Sequence, residues 1–570
     1  MIARHMVVRN PSENTLTVQR AFSATLDLPG TDFETVSLHG RWANERTPDR
    51  TPLFFGKNEI TSVRGANGHH GNPFLALVRP NTDEDLGEVY AMTLVYSGDY
   101  KIGAQKGHLN STRFYGGLND ENFSWVLPGG ESFTTPQMLL TYSDAGLNGM
   151  SQHFHAACRM HLGVCAKNPT HPVVLNLWEA FYFDINEERA ISAIRAAAGT
   201  GIDTVVIDDG WFGNRHDEKE ALGDWVIHST KFPNGFEKIV RECEKNNLQL
   251  GIWFDPEAFN RNSNLFRAHP DWAISVPGLE PAESRYQLLL DFSKSEVIDH
   301  VYGCMAAILK KYPIRYVKWD FNRNMTDNGS DALPPERQGE HSHRYMLGVY
   351  RLMERLRKSF PKVFFEGCSG GGGRYDFGIL YYMPQIWASD NSDACSRLTV
   401  QYGTTLVYPP ETVSAHISAC PNHQTRRVTP FETRENVAQL FSLGYELDLS
   451  KMTADEKKLM KQQVAKHHEL KKWLNTARFY RLLDPTKGRY CAWQAVSEDR
   501  RLSALFVACT LVESEDFAPY IHLHGLEPKG QYIMPELGLM ASGEALMNAG
   551  IPLRRMDPDF GSFLWMIVRE

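Results

Sequence analysis

Nine cysteines are scattered through 570 residues, and no two of them are spaced as C-x-x-C. The common zinc and dithiol frameworks are therefore missing, and the odd set predicts free thiols in a reducing compartment, the cytoplasm. No run approaches twenty apolar residues, so no spanning helix is expected. The opening stretch, "MIARHMVVRNPSENTLTV", holds no apolar core or cleavage signal of a leader. Positive charge is not in excess: the net charge of -8 argues against nucleic acid and anionic membrane partners. No G-x-G-x-x-G follows a strand, and "GGGG" at 370–373 lacks the lysine of a phosphate loop. Cofactors are not expected. His153, His155 and His161 lie close together, but no carboxylate or cysteine completes a metal-ligand set, so no metal is expected either.

What is present changes character along the chain. A chain of 570 residues exceeds one core, so several domains are expected. Residues 1–147 read as short β-rich runs between Pro, Gly and Asn turns ("TLTVQRAFSATLDL", "FETVSLHGRW", "FLALVRP", "EVYAMTLVYSG"), which predicts a β-sandwich portion. Residues 148–171 read as a helical connector ending in a linker, "KNPTHP". From 172 to 477 apolar strands alternate with amphipathic helices. The strand runs are continuous, the mark of parallel strands covered on both faces, and about eight such units predict a (β/α)₈ barrel. Its strand candidates include "TTLVYPP" and, as a possible ninth or an irregular insert, "YQLLLDF" at 286–292. Residues 478–570 predict a C-terminal antiparallel β domain.

The polar residues fall at strand ends. "NLWEA" supplies Asn176, Trp178 and Glu179, and "VVIDDGWF" supplies Asp208, Asp209 and Trp211. "GIWFDPE" gives Trp253, Asp255 and Glu257; "YVKWDFN" gives Lys318, Asp320 and Asn322. "FFEGCSG" ends in Glu366 and Cys368, and "IWASD" in Trp387 and Asp390. In a β/α barrel these ends share the face that carries the active site. A single carboxylate after a strand is commonly a helix cap; six such ends are poorly explained that way. Many carboxylates and indoles without a His–Cys ligand set point to glycoside chemistry, which needs one attacking or water-activating carboxylate and one carboxylic acid. Asp320 suits the first role, with Lys318 to hold it ionised. Asp390 suits the second, with an apolar approach and Asp393 nearby to keep it protonated.

The stretches "DDGWFG", "GIWFDPE", "LFRAHPDW", "YVKWDFNRN", "CSGGGGRYD", "YYMPQIWASDNSDA", "QYGTTLVYP" and "PNHQTRR" together resemble glycoside hydrolase family 36, the α-galactosidases of bacterial type. The resemblance runs from about Arg9 to the C-terminus. It implies a retaining double displacement on terminal α-linked galactose of the melibiose or raffinose kind. It also implies an N-terminal β-sandwich whose first part this chain lacks, and a homo-oligomer, tetrameric in full-length relatives. By the same resemblance Asp320 is the nucleophile and Asp390 the acid/base. Asp208 and Asp209 bind galactose hydroxyls, and Trp253 forms an aromatic wall. Arg285, Lys318 and Asn322 are further sugar contacts. Cys368 with Gly370 or Gly371 faces the 2-hydroxyl, Trp178 lies near the hydroxymethyl side, and Trp387 joins the substrate-binding set. Three features depart from the family pattern: Asp255 stands where Glu is usual, Arg261 and Asn262 replace a proline-containing stretch, and Ala388 replaces a common Thr. Alternatives of neighbouring chemistry are an α-N-acetylgalactosaminidase and a galactosyl-transferring relative. A non-catalytic carbohydrate-binding scaffold is a third, against which the retention of both aspartates argues.

Overall fold

The computed structural model describes residues 1–161, 171–514, 519–553, 556 and 558–570. Among these, eight parallel strands close a barrel in strict chain order. They are Val174–Asn176, Thr204–Ile207, Gln249–Phe254, Ile314–Trp319, Phe364–Gly367, Gln385–Trp387, Val413–Ser418 and Ser442–Glu446. The first and last strands pair through Val174 and Gly444, which closes the ring. Continuous apolar runs such as "TVVI" are buried along their whole length, as strands covered on both faces require. Helices between them begin at capping side chains: Asn186 accepts the Arg189 amide at the start of Glu187–Ala197, and Thr453 and Glu456 form a reciprocal box at the start of Ala454–Leu474.

One strand reading needs correction, and one left open is decided. "TTLVYPP" is no strand: the helix Ala394–Thr404 runs into it and a turn follows. The seventh strand is instead Val413–Ser418, "VSAHIS". Its alternate residues point into a polar barrel interior, where Ser414 donates to Glu366 at 2.5 Å and the His416 ring lies 3.2 Å from Glu446. An apolar-run criterion passes over such a strand. "YQLLLDF" is the irregular insert: Leu288–Leu289 pairs antiparallel with Ala258–Phe259, outside the barrel.

The N-terminal part holds a six-stranded antiparallel sheet and a three-stranded sheet of Phe22–Pro29, Tyr100–Lys106 and Ser111–Leu118, a partial β-sandwich. The helix Gly146–His161 follows; the rest of the connector expected at 148–171 lies, up to residue 170, outside the described residues. In this helix the His153 ring bonds Thr141 and that of His155 bonds the Thr405 carbonyl. The C-terminal part is built on a six-stranded antiparallel sheet from Arg478–Leu483 to Ser562–Arg569.

Beneath the barrel mouth lies a buried ion pair. Arg374 donates to both Glu257 oxygens at 2.7 and 3.0 Å, and Trp319 and Tyr345 each add a donor at 2.8 Å. Both charged residues are within 2% of full burial. Arg374→Met would strand the Glu257 charge, so a loss of about 3–5 kcal/mol is expected, read as a lower denaturation midpoint of the barrel. An unchanged midpoint would show that Glu257 is already satisfied without its cation.

Candidate active site

The C-terminal ends of the barrel strands surround a cavity of about 730 Å³. Its lining brings together eleven of the thirteen residues expected from sequence: Trp178, Asp208, Asp209, Trp253, Arg285, Lys318, Asp320, Asn322, Cys368, Trp387 and Asp390. The other two, Gly370 and Gly371, are not in that lining; they stand behind it, against Asp320 and Asp390.

Asp320 follows the fourth strand and is held on both oxygens. Oδ1 accepts the amides of Phe321 at 2.9 Å and Gly370 at 3.1 Å. Oδ2 accepts Asn322 Nδ2 at 2.6 Å and Trp253 Nε1 at 3.2 Å. Burial by itself would raise this carboxyl. The Lys318 ammonium and the donors from Cys368, Asn322 and the Gly370 amide outweigh burial and hold it below the ordinary aspartate range. Lys318 acts on Asp320 through space, because its own ion pair is to Asp208 at 2.9 Å. Gly370 can aim its amide at Asp320 because its φ is +49°, a left-handed conformation that glycine adopts without strain.

Asp390 follows the sixth strand and is partly buried. Its Oδ1 accepts Trp387 Nε1 at 3.1 Å and its Oδ2 accepts Trp42 Nε1 at 2.8 Å. Burial and the Asp320 charge push it up to about 6, against the Trp42 bond and Lys318. The like charge is therefore Asp320, not Asp393. Asp393 is turned away: it caps the helix Ala394–Thr404 through the Ser396 amide and pairs with Arg427. Gly371 lies against the Asp390 backbone, so close that a Cβ there would meet the Asp390 nitrogen at 2.6 Å.

The remaining polar groups line the wall in pairs. Asn176 and Lys318 both donate to Asp208, at 2.7 and 2.9 Å. Asp209 is gripped by Arg215 in a two-pronged pair at 2.9 and 2.7 Å, which fixes its orientation. Arg285, exposed at the rim, donates to Asn322 Oδ1 at 2.7 Å. Trp178 packs edge-on to Tyr182, with ring centroids 5.1 Å apart. Asp255 does not reach the cavity lining. It is buried behind Asn322, which donates to it at 3.1 Å, and burial and the Asp320 charge push it up to about 7.

The sequence-derived site omits Trp42, Glu179, Tyr182, Gln424 and Glu446, all of which line the cavity. Glu446 was findable, since it ends the eighth strand; Glu179 was noted at a strand end with Trp178 but given no role. Burial and Glu446 push Glu179 up to about 8. Gln424 lies within "PNHQTRR". Trp42 carries no local signal: it sits at the tip of a hairpin, Glu34–Arg41 and Asn44–Pro52, in a different sheet.

A closed parallel barrel whose mouth pairs a carboxyl group held low with one pushed up to about 6, between indole walls, defines a two-carboxylate glycoside hydrolase. The melibiase family model matches residues 132–477; the family 36 N-terminal and C-terminal domain models match residues 1–128 and 490–567. The α-galactosidase AgaA of Geobacillus stearothermophilus is 45% identical over 570 residues, which are 100% of this chain and 78% of that protein. The α-galactosidase Mel36A of Lactobacillus acidophilus is 40% identical over 98% of this chain and 76% of its own length. The crystal structure of AgaA superposes with a TM-score of 0.96 at 44% identity, covering 99% of this chain and 79% of that one, and a variant of AgaA has been solved in complex with raffinose. The chain belongs to glycoside hydrolase family 36, among the bacterial-type α-galactosidases.

Proposed function

We propose that this chain releases terminal α-D-galactose from galactosides and galacto-oligosaccharides of the melibiose and raffinose type by double displacement. The observation that carries the reading is the opposed state of two carboxyl groups in one cavity, Asp320 held ionised and Asp390 held near 6. In the first step an Asp320 oxygen bonds to the anomeric carbon as the bond to the leaving oxygen breaks, and that oxygen takes the proton of Asp390. In the second step Asp390, now a carboxylate, takes a proton from water. The water oxygen replaces Asp320 on the anomeric carbon, and configuration is retained. Asp208, Asp209, Lys318, Arg285 and Asn322 hold sugar hydroxyls, Trp253, Trp178 and Trp387 supply apolar walls, and Cys368 with the Gly370–Gly371 segment faces the 2-substituent.

Support for galactose as the sugar comes from relatives that are named α-galactosidases and from the raffinose complex of one of them. We also infer a cytoplasmic location from the cysteine pattern and a homo-oligomer, a tetramer by the family resemblance. Among the described residues no helix is long and apolar enough to cross a membrane.

The test is a paired assay on 4-nitrophenyl α-galactoside and its α-N-acetylgalactosaminide counterpart, with the first-formed sugar read by proton NMR. The galactoside is expected to be the better substrate, and α-galactose is expected to appear before mutarotation. Preference for the acetamido sugar would overturn the substrate; β-galactose as first product would overturn the double displacement.

A further inference from the structure

Asp390 has an indole N–H on each oxygen, and the two indoles are unlike. Trp387 belongs to the barrel and is 3% exposed. Trp42 comes from the N-terminal sheet and is 54% exposed. Its backbone neighbours are nevertheless pinned. Asn391 donates to the Ala43 carbonyl at 3.1 Å, and buried Arg46 donates to Thr404 and to the Gly372 carbonyl, both at 2.8 Å. The hairpin tip is thus fixed on the barrel rim while the indole itself stands in solvent at the cavity mouth.

This arrangement meets a conflict in the chemistry. An N–H bond to each oxygen favours the carboxylate, yet the first step needs a proton on one of them, and a protonated oxygen is a poor acceptor. The Trp387 bond is locked, so the proton falls to Oδ2, the oxygen that Trp42 occupies. We propose that Trp42 is a positioning residue that the leaving sugar displaces from Asp390. Its N–H bonds the carboxylate when the cavity is empty; it swings aside when the aglycone enters, and Oδ2 then takes a proton from solvent and passes it to the leaving oxygen. In the second step, with the aglycone gone, the N–H returns and supports Asp390 as the base that takes the water proton. The protons balance over the cycle: Asp390 takes one from solvent as the indole leaves, gives it to the leaving oxygen, takes one from water in the second step and returns it to solvent before the next substrate binds; Trp42 donates a hydrogen bond and never transfers a proton.

The other groups acting electrostatically with Asp390 are Asp320, Lys318, Glu45, Glu179, Cys368 and Arg397, whereas the Trp42 indole N–H is bonded to Asp390 itself. Trp42→Phe keeps a ring at the rim and removes the N–H alone. The limb of kcat/KM reports the free enzyme and that of kcat the complex. In the unaltered enzyme kcat/KM for raffinose is expected to fall above about pH 6, as Asp390 loses its proton. In Trp42→Phe that basic limb is expected to move up by about half a unit to one unit, because a donor to the charged form is gone. The kcat limb is expected to stay, because in the complex the indole has already left. A kcat/KM limb that does not move, or a kcat limb that moves with it, overturns the inference. The inference rests on Asp390 being the acid, and Asp390→Ala tests that separately. If that variant loses raffinose and an activated aryl galactoside equally, the acid assignment falls and the inference with it. If it discriminates while the Trp42→Phe profile is unchanged, only the inference falls.

Discussion

Asp320→Asn is expected to lower kcat by at least ~10³, because the covalent route disappears with the attacking charge. The substitution is nearly isosteric, so the cavity and its walls persist. The donors that converge on Asp320, from Phe321, Gly370, Asn322, Trp253 and Cys368, remain in place. An amide can offer its single oxygen to only some of them. Its NH₂ would face donors instead of accepting from them, so a modest loss of stability accompanies the loss of rate. Galactoside binding should survive, since Asp208, Asp209 and Arg285 are untouched, and calorimetric titration with melibiose would measure it. Turnover within tenfold of the unaltered enzyme would remove Asp320 as nucleophile. Loss of binding along with turnover would show instead that its charge holds the sugar.

Much of this could be read from the sequence because barrel strands announce themselves twice, by apolar runs and by polar residues at their ends. "YVKWDFN" shows both, though its place as fourth in the barrel comes from the structure. The seventh strand shows neither cleanly: Ser414 and His416 point into the barrel to meet Glu366 and Glu446, and a polar interior erases the apolar signature. The same burial explains the misassigned charge beside Asp390. Asp393 is three residues away in sequence, but a helix start turns its carboxylate to the Ser396 amide, while Asp320, seventy residues away, faces the same cavity. Trp42 marks the deeper limit. Its contact with Asp390 spans 348 positions and two separate sheets, so no local spacing encodes it. What delivers it is the docking of the hairpin through Arg46 and Asn391, a tertiary property of both parts together.

Asp390→Ala is expected to separate substrates by their leaving groups. The disaccharide aglycone of raffinose leaves as a sugar alkoxide unless it is protonated, so losing the acid should cost about 10²–10⁴-fold in kcat/KM. An activated nitrophenolate leaves without help, so formation of the galactosyl–Asp320 intermediate should proceed at near the normal rate. The second step still lacks its base, so the intermediate should accumulate and nitrophenol should appear as a burst of one equivalent per site followed by slow turnover. Azide needs no deprotonation and fits the space that the carboxylate vacates between Trp42 and Trp387. It should restore turnover of the aryl substrate and be captured as α-galactosyl azide, because it attacks the face opposite the Asp320 bond. Equal losses on both substrates, with no burst and no azide product, would show that Asp390 is not the group that moves the proton. Glu179, the other cavity carboxyl pushed into the range of a proton donor, would then be the candidate to test.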